Sequence, residues 1–578
     1  MRLLRKIFGA VSFCVATIDR RMAIVAAVLA AVFAVVGWKL VRVQLHPDKT
    51  VVEPLEYVKV VKAYRGGLFD RHGLGHPLAQ TVPAFRVFVD PGEIKADSRS
   101  EVYRALARHS LCAPEKLYAA VAATRGHYKP LGETADRDVV EDLKTNAVLK
   151  RCTGLEKVSR RSYPLGRGLC HVVGVVNSAE EPLCGLEKTL DSELRGTDGR
   201  ITGDADRNRR EIRSRRRECV DPVDGRDVIL SIDETLQFAV DQALDRAMEK
   251  WAPRAAWAIV QDPRTGEILA MSSRPDFDPA RFGAATPEEQ SNRAISTLYE
   301  PGSVMKTFAA AAALDEGLVR TNTLLDVSNT LYCGRPLRDH THGHNELTVA
   351  QMLAWSSNRG ASRLGMMLGK ARQQAHLKAF GFGRRTGLPL LGESAGQTIG
   401  DGSELHNIRI SMGQGMTATA VQLVAAYSAI ANGGLLMEPH LVKAVAAPDG
   451  TILTNFPPRV VGRPCSERTA RQIAEMLRAV VSREGTARRA RVPGYTAAGK
   501  TGTAQMVYDG HYSQSDFRGS FIGFFPATDP RLAILVTCEA TPKPRTDGGV
   551  CAAPVFARIA SDAARILQIP PDDPDSLP

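Results

Sequence analysis

Three short motifs in the second half of this 578-residue chain carry residue types suited to nucleophilic catalysis, and each occurs once. The first is Ser303-Val-Met-Lys306. Residues three apart share a helix face, so Lys306 can lie beside the Ser303 hydroxyl. Serine is a poor nucleophile at neutral pH. A neighbouring lysine, held neutral by burial or by a second cation, can take its proton. A helix N-terminus also favours negative charge developing at Ser303. The second motif is Ser356-Ser357-Asn358. Ser356 can relay a proton between Lys306 and a leaving amine, and Asn358 can hydrogen-bond a substrate amide. The third is Lys500-Thr501-Gly502-Thr503, preceded by Ala497, Ala498 and Gly499. Small residues let an extended ligand lie along such a strand, and Lys500 with Thr501 suits a terminal carboxylate. Lys500 would also help to keep Lys306 neutral. Taken singly, each motif has a plainer reading: an exposed Ser–Lys pair, a helix-end cap, a basic strand edge. In this order, 53 and 144 residues apart, those plainer readings become improbable together.

The elements that must hold these residues can be read from periodicity. Pro301 and Gly302 precede the serine, and an Ala-rich run stops at Gly317, which predicts a helix opening at Ser303 and capped by glycine. Residues 347–355 predict another helix. Residues 227–232, 257–261 and 268–272 read as strands, and 234–250 as a helix. Further strands are expected at 503–508, 520–525 and 532–537, with turns at Asp509-Gly510 and Asp529-Pro530, and a last helix opening at Pro554. Strands first, helices in the middle, then strands and a helix imply an α+β domain. Its antiparallel sheet is built from both ends of the segment. From 60 to 225 there are short strand-like runs, such as 85–89, among charged helical stretches, and no nucleophile–base set. That region reads as a structural or docking domain. In Arg65-Gly-Gly-Leu-Phe-Asp70-Arg-His-Gly73 the glycines imply tight turns, and Asp70 between arginines implies a local ion pair.

Residues 22–38 contain no charge, and extension to Val41 gives twenty residues, enough for one membrane-spanning helix. No A-x-A cleavage site is present there, so an uncleaved anchor is expected. Arg2, Arg5, Lys6, Arg20 and Arg21 oppose only Asp19, which places the N-terminus inside and the remainder outside. Six alanines, at 23, 26, 27, 30, 31 and 34, fall within about 140° of the helix circumference, a stripe suited to an intramembrane partner. Mean hydropathy of −0.15 excludes a polytopic membrane protein. The net charge of +12 raises nucleic acid, anionic lipid or an acidic polymer as partners. Its distribution decides: the first 21 residues, and 207–217 with seven arginines against Glu211, hold ten of those twelve charges. The first group is the topology signal, and the second reads as a solvated hairpin or a docking surface; neither implies nucleic acid. Ten cysteines include no C-x-x-C, and no metal or cofactor is expected. Cys14 would be inside. Of the nine others, Cys538–Cys551 and Cys170–Cys184 are near enough in sequence to pair, with buried free thiols as the alternative.

S-x-x-K with S-D-N and K-T-G is the acylation set of β-lactamases and penicillin-binding proteins, and here Ser356-Ser357-Asn358 stands at the second motif. The sequence resembles the class B penicillin-binding proteins, monofunctional peptidoglycan transpeptidases, over nearly its whole length. Residues 65–73 resemble the segment that opens the family's non-catalytic pedestal, with Leu68 where Ile is typical, and Tyr163–Gly166, Gly185–Glu187 and Leu194–Gly196 resemble its later part. Asp262–Pro275, Ser411–Gly415, Ala431–Gly434 and Phe521–Pro530 are similar to the transpeptidase domain. The resemblance implies a β-lactamase-like domain, an antiparallel sheet with helices on both faces, behind an elongated α+β pedestal and one transmembrane helix. The implied organisation is a cytoplasmic tail 1–21, transmembrane helix 22–41, stalk 42–60, pedestal (dimerisation-type) domain 61–225, transpeptidase domain 226–569 and flexible tail 570–578. It implies Ser303 as acylated nucleophile and Lys306 as base, Ser356 and Asn358 in relay and amide contact, and Lys500, Thr501 and Gly502 along the substrate strand. The backbone N–H groups of Ser303 and Thr503 would form the oxyanion hole. Ser-x-Asn resembles the division-specific (FtsI-like) and sporulation branches more than the elongation branch. Implied partners are stem peptides, β-lactams as inhibitors, a membrane-embedded glycosyltransferase and division or elongation proteins. The location would be the bacterial cytoplasmic membrane, with the catalytic domain outside. A β-lactamase would need a deacylating base, which cannot be assigned here. A bifunctional glycosyltransferase needs a polymerising domain before residue 226. A β-lactam sensor needs a cytoplasmic signalling domain.

Overall fold

The uncharged N-terminal run forms one helix, Arg20–Leu45, and Met22–Leu45 is long and apolar enough to cross a membrane. Its large apolar side chains are exposed all round, Phe33 to 72%, as suits a helix whose solvent is lipid. The computed structural model describes residues 20–45, 55–123, 127–206, 211–339, 344–398, 403–542 and 547–576. The N-terminal tail with its first basic residues and Cys14, Arg207 to Arg210 and the last two residues lie outside the described residues.

The expected stalk over 42–60 needs correction at both ends. The helix runs on to Leu45, and Leu55–Val61 is a strand. It pairs antiparallel with Gly199–Ala205, from Leu55 opposite Ala205 to Val61 opposite Gly199. Glu218–Val220 pairs on the other side of that strand. This small sheet belongs with the helix in one compact unit, residues 1–63 and 197–223. The described part of the arginine run lies in the hairpin, where Arg216 pairs with Glu211 at 2.6 Å and Arg217 with Asp204 at 2.5 Å.

The second unit comprises residues 64–196 and 224–578. In its first part the long strand Pro77–Val89 takes in the expected 85–89 and pairs with Thr153–Ser162 and Lys129–Thr134. The expected local ion pair at Asp70 does not form. Asp70 accepts from the His72 amide at 2.7 Å, in a turn. Its flanking arginines reach elsewhere: Arg65 joins Arg161 on the buried Glu187, both at 2.7 Å, and Arg71 reaches Glu267 at 3.0 Å. The turn commits Asp70 to a backbone amide, while both arginines meet carboxylates that the fold brings to them.

The rest of the second unit is organised by Glu234–Trp251 (α1), Ala255–Gln261 (β1), Ile268–Arg274 (β2), Lys306–Asp315 (α2), Asn358–Ala379 (α3), Ala420–Ala431 (α4), Ala498–Tyr508 (β3), His511–Phe525 (β4), Leu532–Glu539 (β5), Gly548–Cys551 (α5) and Ala553–Ile566 (α6). The five strands form one antiparallel sheet in the order β2-β1-β5-β4-β3, so both ends of the segment meet at β1 and β5 as expected. β3 and β4 extend beyond their predicted spans. Ala498–Gly502 is too small, and His511–Gly519 too polar, to show strand alternation. Helices cover both faces. Ser272 of β2, opposite Ala258, donates to Asp241 of α1 at 2.5 Å. Gln261, three residues along β1 and therefore on the other face, accepts from Ser428 of α4 at 2.8 Å.

The tail from Pro570 does not fray over its described length. Asp572 accepts from the Thr496 amide at 2.7 Å and the Thr528 hydroxyl at 2.5 Å, and the Ser576 hydroxyl accepts from the Gly494 amide at 3.0 Å. Pro and Asp look like disorder in composition, yet Asp is also a good acceptor for loop amides.

Candidate active site

Ser303 does not open an α-helix as expected. It sits in a 3₁₀ turn, Gly302–Met305, and α2 begins at Lys306, whose N–H donates to both the Ser303 and Val304 carbonyls. A tighter first turn eclipses residues i and i+3, which keeps Ser303 and Lys306 on one face. Lys306 to Leu314 of α2 are buried, and its C-terminus closes on Gly317, where the Leu318 amide donates to the Ala313 carbonyl at 3.0 Å. Two residues given no role in the sequence analysis hold the turn. Tyr427 of α4 donates to the Val304 carbonyl at 2.9 Å, and Gly413, within Ser411–Gly415, accepts from the Gly302 amide at 3.1 Å.

The Lys306 ammonium or amine is fully buried. Nζ lies 2.5 Å from the Ser356 carbonyl, 2.7 Å from Asn358 Oδ1 and 3.3 Å from Ser356 Oγ. Burial first, and the nearby Lys500 cation second, hold its pKa well below the usual lysine range, against the opposing charge of Asp339. A neutral amine spends its two N–H bonds on the carbonyl and the amide oxygen. Its lone pair is then left to take a proton from a hydroxyl.

Ser356 is held at φ +58°, a conformation uncommon for a residue with a side chain and frequent at functional sites. Ser357, beside it, caps α3 by accepting from the Gly360 amide at 3.0 Å. The turn is fastened by Asp339, a residue that sequence reasoning missed. Its buried carboxylate accepts from the Ser357 hydroxyl at 2.6 Å, the Asn358 amide at 2.6 Å and the Arg359 amide at 3.1 Å. Asn358 Nδ2 donates to the Arg338 carbonyl at 2.9 Å, leaving one N–H for another acceptor. Asp339 stands seventeen residues before Ser356, with no short-range pattern to mark it; its only sequence signal is an acidic residue between two motifs.

On β3, Lys500 is also fully buried, and burial lowers its pKa to about 7, against the opposing charge of Asp547. Its Nζ lies 3.4 Å from the Thr501 hydroxyl. Gly502 is required by close approach: a Cβ there would meet Ser520 Oγ at 2.4 Å and the Pro301 carbonyl at 2.9 Å. A Cβ on Gly302 would stand 3.1 Å from the Thr503 carbonyl. The substrate-type strand therefore abuts the turn that carries Ser303, with the Ser303 and Thr503 backbones side by side. The structure thus joins Lys306, Ser356 and Asn358 by hydrogen bonds within reach of the Lys500 charge, and packs the turn of Ser303 against the strand of Thr503. Among the described residues, the Ser303 hydroxyl makes no hydrogen bond, as suits a group awaiting a substrate.

This geometry has counterparts. Residues 256–561 match the penicillin-binding protein transpeptidase domain, and 60–230 the penicillin-binding protein dimerisation domain. The chain belongs to the class B penicillin-binding proteins. It is 34% identical to stage V sporulation protein D of Bacillus subtilis, over 88% of this chain and 79% of that protein. It is 30% identical to the peptidoglycan D,D-transpeptidase FtsI of Escherichia coli, over 94% and 90%. The crystal structure of penicillin-binding protein 3 from Mycobacterium tuberculosis in complex with aztreonam superposes with a TM-score of 0.69 at 30% identity, covering 90% of this chain and 99% of that one. The class B assignment agrees with the sequence resemblance in family and in fold, down to a sheet shared between both ends of the transpeptidase segment.

Proposed function

We propose that this class B penicillin-binding protein cross-links peptidoglycan stem peptides at the division septum through an acyl-Ser303 intermediate. The observation that carries the reading is the buried Lys306, its pKa lowered by burial and by Lys500, and hydrogen-bonded to Ser356 and Asn358. Ser303 Oγ attacks the carbonyl of the penultimate D-Ala, and its proton passes to the Lys306 lone pair. The N–H groups of Ser303 and Thr503 stabilise the oxyanion. Ser356 returns the proton to the leaving amine, so that the terminal D-Ala departs. A neighbouring stem's amine then attacks the ester, giving a 4,3-type cross-link and free Ser303. Lys500, Thr501 and Gly502 receive the donor's carboxylate end and backbone, and the spare Asn358 N–H its amide. β-Lactams enter by the same route and remain on the serine.

The pedestal spans 61–225 and the transpeptidase domain 226–569 in this reading. The helix anchors the chain once in the cytoplasmic membrane, N-terminus inside by its basic flank, with the catalytic domain outside. Its alanine stripe faces a membrane-embedded glycosyltransferase among the division proteins. A sporulation role is the second reading, favoured by the 34% identity to stage V sporulation protein D. Depletion separates them: filaments of undivided cells support the septal role, and a defect confined to spores supports the other. The chemistry is tested by labelling membranes with a fluorescent penicillin. Wild type is labelled and Ser303→Ala is not; labelling that survives the substitution sinks the assignment.

A further inference from the structure

Two of the cysteines meet behind the substrate strand. Cys538 lies on β5 opposite Gly519 of β4, and Gly519 in turn lies opposite Thr503 of β3. Residues opposite one another in an antiparallel sheet point to the same face. On that face lies α5. Its Gly548 amide is 3.4 Å from the Thr503 hydroxyl, and a Cβ on Gly548 would strike the Ser520 carbonyl at 2.1 Å and the Gly502 carbonyl at 2.5 Å. Only glycine permits this approach, which sets α5 flat against the back of the K-T-G strand. One turn further, Cys551 comes over β5. Its thiol donates to the Asp547 carbonyl at 3.3 Å, and it neighbours Cys538 closely enough for each thiol to shift the other's titration; both are free thiols in this structure. Both side chains are fully buried in the main core. Such a pair, thirteen residues apart, is neither a metal site nor part of the acylation machinery.

We propose that Cys538 and Cys551 form an intramolecular disulfide that staples α5 to β5 and so braces the strand bearing Lys500–Thr503. In the reaction each thiol gives up one hydrogen. The Cys551 thiolate attacks a sulfur of a disulfide donor, a thiol–disulfide oxidoreductase or a small-molecule disulfide, and releases one donor thiol. The Cys538 thiolate then displaces the second donor thiol, forming the internal bond. Either thiol can make the first attack, since the reaction is the same with the two roles exchanged. Both sulfurs are closed off in the folded domain, so the exchange takes place before α5 has finished docking. The proposal rests on the outward orientation, because only that side of the membrane supplies an oxidant.

The test is made on the full-length protein in membranes. Spheroplasts are first probed with added protease to report the side on which the domain lies. The protein is then denatured with an alkylating agent present and no reductant, and digested with trypsin. Cys538 and Cys551 fall on separate tryptic peptides, 532–545 and 546–558, because Lys543 precedes proline. The expected product is these two peptides joined and lighter by two hydrogens, resolved into the single peptides by reduction. Reduction should also lower the melting temperature of wild type by roughly 3–6 °C and leave Cys538→Ala/Cys551→Ala unmoved. Both cysteines fully alkylated in a protease-accessible domain overturns the disulfide and leaves the orientation standing. Both alkylated in a protected domain overturns the two together. Pairing of either cysteine with any other partner overturns the staple.

Discussion

Replacing Asp339 with asparagine isolates what holds the Ser356–Asn358 turn in place. The substitution keeps the shape of the side chain and removes its charge. Three donors converge on the carboxylate: the Ser357 hydroxyl and the Asn358 and Arg359 amides. An ionised acceptor strengthens each bond by about 1 kcal/mol over a neutral one, so the turn loses about 3 kcal/mol. In addition, an amide nitrogen in the place of Oδ2 leaves the Ser357 hydroxyl proton without its acceptor. The same turn supplies both close partners of Lys306. If half of the loss appears in the acylation barrier, the rate falls about ten-fold. The sign of the electrostatic effect runs the other way. Asp339 favours protonated Lys306, so its removal lowers the Lys306 pKa further and extends the acid limb of the rate to lower pH. The assay is the second-order rate of acylation by a fluorescent penicillin between pH 5 and 9, with a melting curve alongside. The expected outcome is a ten-fold slower rate at neutral pH, a melting point several degrees lower, and a defect that shrinks as the pH falls. A rate within threefold of wild type, with the acid limb unmoved, would falsify the positioning role.

The Lys500 cation, with its pKa near 7, is present below that pH and lost above it, so acylation by a carboxylate-bearing β-lactam should decline as pH rises through about 7; a profile flat to pH 9 contradicts the buried-cation account. Gly502→Ala drives a methyl group into Ser520 and the Pro301 carbonyl, at a cost of about 1–3 kcal/mol, and should slow acylation at least ten-fold through displacement of β3 from the Ser303 turn. Wild-type kinetics in that variant would show that the strand and the turn are not coupled. Asp572→Ala should lower the melting temperature and leave acylation unchanged. The hydrogen bonds to Asp572 hold its pKa below the usual carboxylate range, so its contribution is present above the unfolded value of about 3.9 and lost as pH falls through the lower folded value. An equal melting-point difference at pH 7 and pH 2 would refute that origin.

The residues proposed to act together were legible because they are tied by local geometry. Ser303 and Lys306 stand one turn apart, Ser356 and Asn358 share a turn, and Lys500–Thr503 occupy one strand. The strands flanking Asp262–Gly266 and Asp509-Gly510 were legible for the same reason, since turns declare themselves in Gly, Asp and Pro. What escaped was held at long range. Asp339 and Tyr427 reach the site only through tertiary packing, and no spacing rule marks them. The Asp70 reading failed because it assumed that the nearest arginine is the partner, whereas Arg65 spans to Glu187 and Arg71 to Glu267. The stalk failed because the chain strand Leu55–Val61 draws its partner from residues 199–205, far along the sequence. Composition misled at the C-terminus, where Asp572 serves as an anchor.

The sheet order bears on when the enzyme becomes an enzyme. Its inner pair joins β1 to β5, and the substrate strand β3 hangs from β4 at the outer edge. A chain that has just been made as far as Met305 and Lys306 has the nucleophile and the base but no strand to seat a ligand and no second lysine to discharge the first. Nearly two hundred further residues must arrive before β3, and more before β5 closes the sheet. Contacts so distant in sequence form late and together. Reactivity is thus withheld from every shorter product of synthesis, and a chain truncated before Leu532 should be inert to penicillin although all three motifs are present.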